Sequence, residues 1–112
     1  MAAIANLLID QGASFSSTVT VYNSDDTVFD LTDYTGAAQV RKSYSSSSAS
    51  ATFTISFSSD RTLGQITLSL TPTQTAELEE GRYVYDIEVT SSDSTVTRVL
   101  QGTVTVSPNA TR

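Results

Sequence analysis

The chain has 112 residues and a formal net charge of −6, with six Lys plus Arg against twelve Asp plus Glu, one Met, and no His, Cys or Trp. The length suits one domain, and the missing residue types exclude a Ser-His-Asp triad, an imidazole base, a thiol nucleophile, a disulfide and a His- or Cys-ligated metal. The acidic balance argues against nucleic acid, whose phosphates call for a basic face, so a cofactor-free, non-enzymatic binding or structural role leads.

Residues 1–12 are mildly apolar and have no counterpart in the alternation that follows. They lack a basic leader and a long apolar run, so neither a secretion signal nor a membrane span is expected. Two readings stand: an edge strand on the chain's own sandwich, or an arm that pairs with a neighbouring subunit by strand addition. In the second, Ile4, Leu7, Leu8 and Ile9 supply the buried area of an interface.

From residue 13 the dominant pattern is period two, the mark of half-buried strands. Phe15, Ser17, Val19 and Val21 share one face, and Ser16, Thr18 and Thr20 the other. A turn at Asn23-Ser24-Asp25-Asp26 follows, then a short run with Ala38 and Val40 opposite Gln39 and Arg41. Ser43 to Ser50 reads as a flexible loop. Phe53, Ile55 and Phe57 alternate with Thr54 and Ser56, and Ile66, Leu68 and Leu70 with Gln65, Thr67 and Ser69. Between Thr71 and Gly81 the alternation stops. Thr71, Pro72 and Gln74 make a capping box around a proline first turn, Gly81 suits a helix stop, and one helical turn near residues 72–79 should carry the chain between sheets with Leu78 plugging the core. Tyr83, Tyr85, Ile87 and Val89 form the next buried face, Ser91-Ser92-Asp93-Ser94 a hairpin loop, and Leu100, Gly102, Val104 and Val106 the last. Residues 13–107 are thus expected to form an all-β antiparallel sandwich of about seven strands, with 108–112 as a tail.

Few residues invite chemistry. Asp25, Asp26, Asp30 and Asp33 crowd nine positions, but their spacing is not that of a calcium loop and they read as turn and strand-end residues. Arg98 falls in the apolar phase of Val96 and Leu100, so it either pairs with a carboxylate such as Asp86 or Glu88 across the hairpin, the leading reading, or snorkels to the rim, and Gly102 should mark a bulge or a close backbone approach. Asn109-Ala110-Thr111 fits the glycosylation sequon, a weak pattern. Loop-tip binding offers an alternative site, with Tyr22, Phe29, Tyr34 and Tyr44 beside Asp25, Asp26 and Asp33.

Several stretches carry a family resemblance. Asp30-Leu31-Thr32-Asp33-Tyr34-Thr35-Gly36 with Gln39-Val40-Arg41-Lys42, Gly64 through Ala76, Gly81 through Val89, and Thr97 through Pro108 resemble, in that order, an Ig-like structural protein family of tailed bacteriophages. That family includes the N-terminal domain of baseplate upper proteins and short stand-alone virion structural proteins, and the resemblance covers about residues 10–112. It implies an Ig-like sandwich, no catalytic residue, and a place in the virion (tail, baseplate, collar or capsid decoration). Partners would be other virion proteins or further copies of the chain, without nucleic acid or membrane insertion. A host-receptor or glycan-binding module on the particle surface is the alternative.

Overall fold

The computed structural model describes residues 3–23 and 25–108. Most of the expected tail, with Asn109-Ala110-Thr111, lies outside the described residues. Among the described residues nine strand segments form two sheets: β1 Ala3–Ile4, β2 Leu7–Asp10, β3 Phe15–Thr20, β4 Thr35–Arg41, β5 Ala51–Thr52, β6 Thr54–Phe57, β7 Gln65–Leu70, β8 Gly81–Thr90 and β9 Val96–Ser107. One sheet runs β1-β9-β8-β4-β5, with β2 also on β9, and the other runs β3-β7-β6. The expected all-β sandwich is present, with more segments than the seven runs foreseen. β1 and β2 are two pieces of one edge, and the single run 51–57 pairs first with β4 and then with β7.

Alternation sorts each strand between core and solvent. Val40, Ile66, Leu68, Ile87, Val89 and Val104 are fully buried between the sheets. Phe53 sits where the run 51–57 changes sheets, with its ring 5.8 Å from Phe15 and 6.1 Å from Tyr85, at distances where tilted aromatic pairs attract. Tyr83 opens the inner face of β8 and donates its hydroxyl to the Glu79 carbonyl at 2.8 Å. This is the tyrosine corner of Ig-like sandwiches.

The helical turn, α1 Pro72–Ala76, has its full capping box, Thr71 Oγ1 accepting from Gln74 N and Gln74 Oε1 from Thr71 N. It bridges β7 to β8 across the sheets, and Leu78 is buried below it. Gly81 is not the helix stop. The turn ends at Glu77, and Gly81 starts β8 with φ 134°.

The N-terminal segment is an edge strand of its own sandwich. β1 and β2 lie parallel to β9, in register Ile4 with Gln101 and Leu8 with Thr105. Between them the chain steps over Gly102, where a Cβ would stand 2.0 Å from the Ala5 carbonyl oxygen. The close approach expected at Gly102 is therefore real. Tyr85 donates its hydroxyl to the same carbonyl at 2.6 Å, Ala5 N donates to Gln101 O at 2.9 Å, and Asn6 Oδ1 accepts from Thr103 N at 3.1 Å.

Candidate functional site

Cross-strand register places the side chains that converge on the outer face of the larger sheet. Gln39 lies opposite Asp86 and Arg41 opposite Val84. On β9 the ladder slips by one residue between Ile87 and Glu88, which pairs Leu100 with Ile87 and Arg98 with Glu88 and leaves Val99 as the extra residue. Both Val99 and Leu100 consequently turn inward and are buried. Arg98 is released to the outer face, where its Nε lies 3.2 Å from Asp86 Oδ2. The expected Arg98–Asp86 pair forms, but on the solvent side.

Loop residues 42–50 rise from the end of β4 beside this face. Gln39, Arg41, Tyr44, Val84, Tyr85, Asp86 and Arg98 enclose a concavity of about 210 Å³. Arg41 is half-buried and oriented, with Nη1 donating to Ser46 O at 3.0 Å and Nη2 to Gln39 Oε1 at 2.8 Å. Each guanidinium carries five N–H donors, so after these bonds the two arginines retain most of their donors at one concave site. Tyr44, 58% exposed, forms one wall. The Tyr85 phenol on the inner side is held up at about 12, by burial first and by the neighbouring Tyr44 second, so it is a neutral donor and not a base.

The remaining described cations are engaged differently. Arg61 donates to the Leu31 and Tyr34 carbonyls and lies 4.0 Å over the Phe57 ring. Lys42 sits 4.4 Å over Tyr83. Arg82 is exposed on β8.

The residues singled out from sequence land apart. Of the interface set, Ile9 is fully buried and Leu7 packs against the core, so neither forms an external contact; Ile4 and Leu8 are the exposed pair. From Ile4 to Asp10, odd positions face inward and even positions outward. Of the loop-tip set, Phe29 and Tyr34 pack edge to face at 5.3 Å against the core. Tyr22 is exposed on a bridge to Val28, and Asp25, Asp26 and Asp33 are also exposed. All of these lie at the end where β4 begins, whereas Tyr44 follows its other end, roughly 20 Å away for seven strand residues. They do not form one site. Only Tyr44 reaches the concavity.

The turn aspartates serve their own loops. Asp25, Asp30 and Asp60 each accept from the backbone N and hydroxyl of the Thr two residues on, and Asp93 accepts from Thr95 N and from the Ser91 hydroxyl. Those bonds hold the Asp25, Asp30 and Asp93 carboxyls below the usual carboxylate range. Among the described residues no three His, Cys, Asp or Glu converge as a metal site.

No family model and no curated protein matches the chain. Among solved structures it is similar to CopC from Methylosinus trichosporium OB3b, with a TM-score of 0.50 and 16% identity over 95% of this chain and 89% of that one. This likeness supports the two-sheet sandwich. It also corrects the functional expectation drawn from the phage resemblance: the structural likeness lies with CopC, and a role in a tailed-phage virion, whether as structural part or as receptor- or glycan-binding module, is set aside. The short stretches behind that resemblance are strand and turn residues common to many sandwiches.

Proposed function

We propose that this chain is a non-catalytic binding module whose outer sheet face receives a carboxylate-bearing ligand at Arg41 and Arg98. The observation that carries the reading is the convergence of two guanidiniums with unused donors on one concavity of a chain whose net charge is −6. Guanidinium donors match the two oxygens of a carboxylate, and a partly enclosed pair strengthens that match. The volume of about 210 Å³ is below the range for drug-sized ligands, so it suits a small acid or one acidic side chain of a larger partner. Tyr44 offers an apolar wall for the carbon skeleton. Val84 lies on the floor and Asp86 holds Arg98 in place.

The residues do not favour metal handling. There is no His or Cys, and the one Met is residue 1, outside the described residues.

The test is a two-dimensional NMR titration with N-acetylglutamate and with an acidic hexapeptide. Saturable shifts should centre on residues 39–44, 84–86 and 98. Arg41→Gln and Arg98→Gln should each weaken binding about tenfold or more, as expected for a lost charge-assisted contact. Shifts scattered over the surface, or unchanged affinity in both variants, would remove this function.

A further inference from the structure

The edge formed by β1 and β2 is open on one side, because β9 is its sole partner among the described residues. Natural sheets usually blunt such edges with Lys, Pro or a bulge. Residues 3–9, Ala-Ile-Ala-Asn-Leu-Leu-Ile, contain no charge and no proline. Ile4 at 74% and Leu8 at 63% are the two most exposed large hydrophobic side chains among the described residues. Both project from the outer face beside the uncharged Gln101 and Thr105.

Backbone direction supports pairing at this edge. Ala5 N and Gln11 N donate to Gln101 O and Ser107 O on β9, each at 2.9 Å. Odd positions thus direct their amides inward to the sheet, and strand alternation leaves Leu8 with N–H and C=O facing the open side.

We infer that this edge docks on the same edge of a second copy, with β2 antiparallel to β2 and the two-fold axis at Leu8. A second copy fits better than an unrelated strand because the edge is self-complementary. Two chains of net charge −6 repel, so contact costs least where charge is absent, and this segment is uncharged from Ala3 until Asp10. With Leu8 opposite Leu8, Asp10 faces Asn6 of the other copy and not its Asp10. Of the other edge strands among the described residues, β3 presents Ser16 and Thr18 outward, β6 presents Thr54 and Ser56, and β5 is only two residues long, so none offers a comparable apolar surface. The two-stranded seam and four aliphatic side chains make a small interface, in the class of weak and transient contacts.

The test is light scattering and sedimentation equilibrium of the full chain over a concentration series. A concentration-dependent dimer is expected, and Leu8→Lys should raise its dissociation constant at least tenfold, while Thr18→Lys should not. Because the chain has no Cys, Leu8→Cys gives a single thiol. Opposed strand residues have Cα atoms about 5.5 Å apart, within disulfide reach, so mild oxidation should give a covalent dimer faster than it does for Thr18→Cys. A monomer at every concentration overturns the inference, as does a dimer unaffected by Leu8→Lys or equal oxidation of the two cysteine variants. Carboxylate binding is read separately at Arg41 and Arg98, so either proposal can fail alone.

Discussion

Replacing Gly102 by Ala tests how the N-terminal edge is held. The added Cβ would meet the Ala5 carbonyl oxygen at 2.0 Å and its carbon at 2.8 Å, and both are backbone, so the step between β1 and β2 must move. Three hydrogen bonds depend on that step: Ala5 N to Gln101 O, Tyr85 Oη to Ala5 O, and Thr103 N to Asn6 Oδ1. At about 0.5–1.5 kcal/mol each their loss costs about 1.5–4.5 kcal/mol, and the buried Tyr85 hydroxyl left without a partner places the total toward the upper end. Ala orders a strand more readily than Gly, which offsets about 0.5–1 kcal/mol. The net destabilisation should be about 2–4 kcal/mol, a large fraction of a typical domain's 5–15 kcal/mol. Urea unfolding followed by circular dichroism measures it, read from the midpoint with the slope held constant. Tyr85→Phe alone should cost about 1–2 kcal/mol, since it removes one of the three bonds. Combined with Gly102→Ala it should cost less than the sum, because the bond it removes is already broken. A Gly102→Ala protein within 0.5 kcal/mol of the parent, or strict additivity of the pair, would refute this account of the seam.

Alkaline stability should report the same tyrosine. Its phenol is raised from 10.0 to about 12 in the folded chain, so above pH 10 the unfolded chain releases a proton that the folded one keeps. The contribution of this phenol is fully present below pH 10 and is lost between pH 10 and 12, about 2–3 kcal/mol, and Tyr85→Phe should flatten that slope in unfolding curves taken across the range. Thr71→Ala should cost about 0.5–2 kcal/mol by removing the helix cap. Thr71→Ser should restore most of it in the same unfolding assay, and equal losses in both would argue against the capping role.

The fold was legible wherever one face of a strand meets the core, because burial imposes period two on β3, β7 and β8. The crossing turn was legible through its own chemistry at Thr71, Pro72 and Gln74. What hid were features set by pairing between distant segments. Nothing local tells that the run 51–57 divides itself between two sheets, or that Val99 is the extra residue of a bulge. The bulge reverses the side on which Arg98 emerges, so the site was half legible: the Arg98–Asp86 pair could be read, but its meeting with Arg41 and Tyr44 depends on the register of β4, β8 and β9 together. The apolar arm showed the converse limit. Its composition suggested four interface residues, and only strand alternation, which hides Leu7 and Ile9, separates core from surface.

The seven residues from Ala51 to Phe57 belong to both sheets, and this ties the two layers into one cooperative unit. Peeling β6 from β7 pulls on Phe53, whose amide donates to Ala38 O in the other layer and whose ring touches Phe15 and Tyr85. Neither layer can open far while the other stays intact. Amide protons deep in β7 and in β8 should therefore exchange through a shared, global opening, while the turns at the two ends of the sandwich exchange through smaller and independent ones.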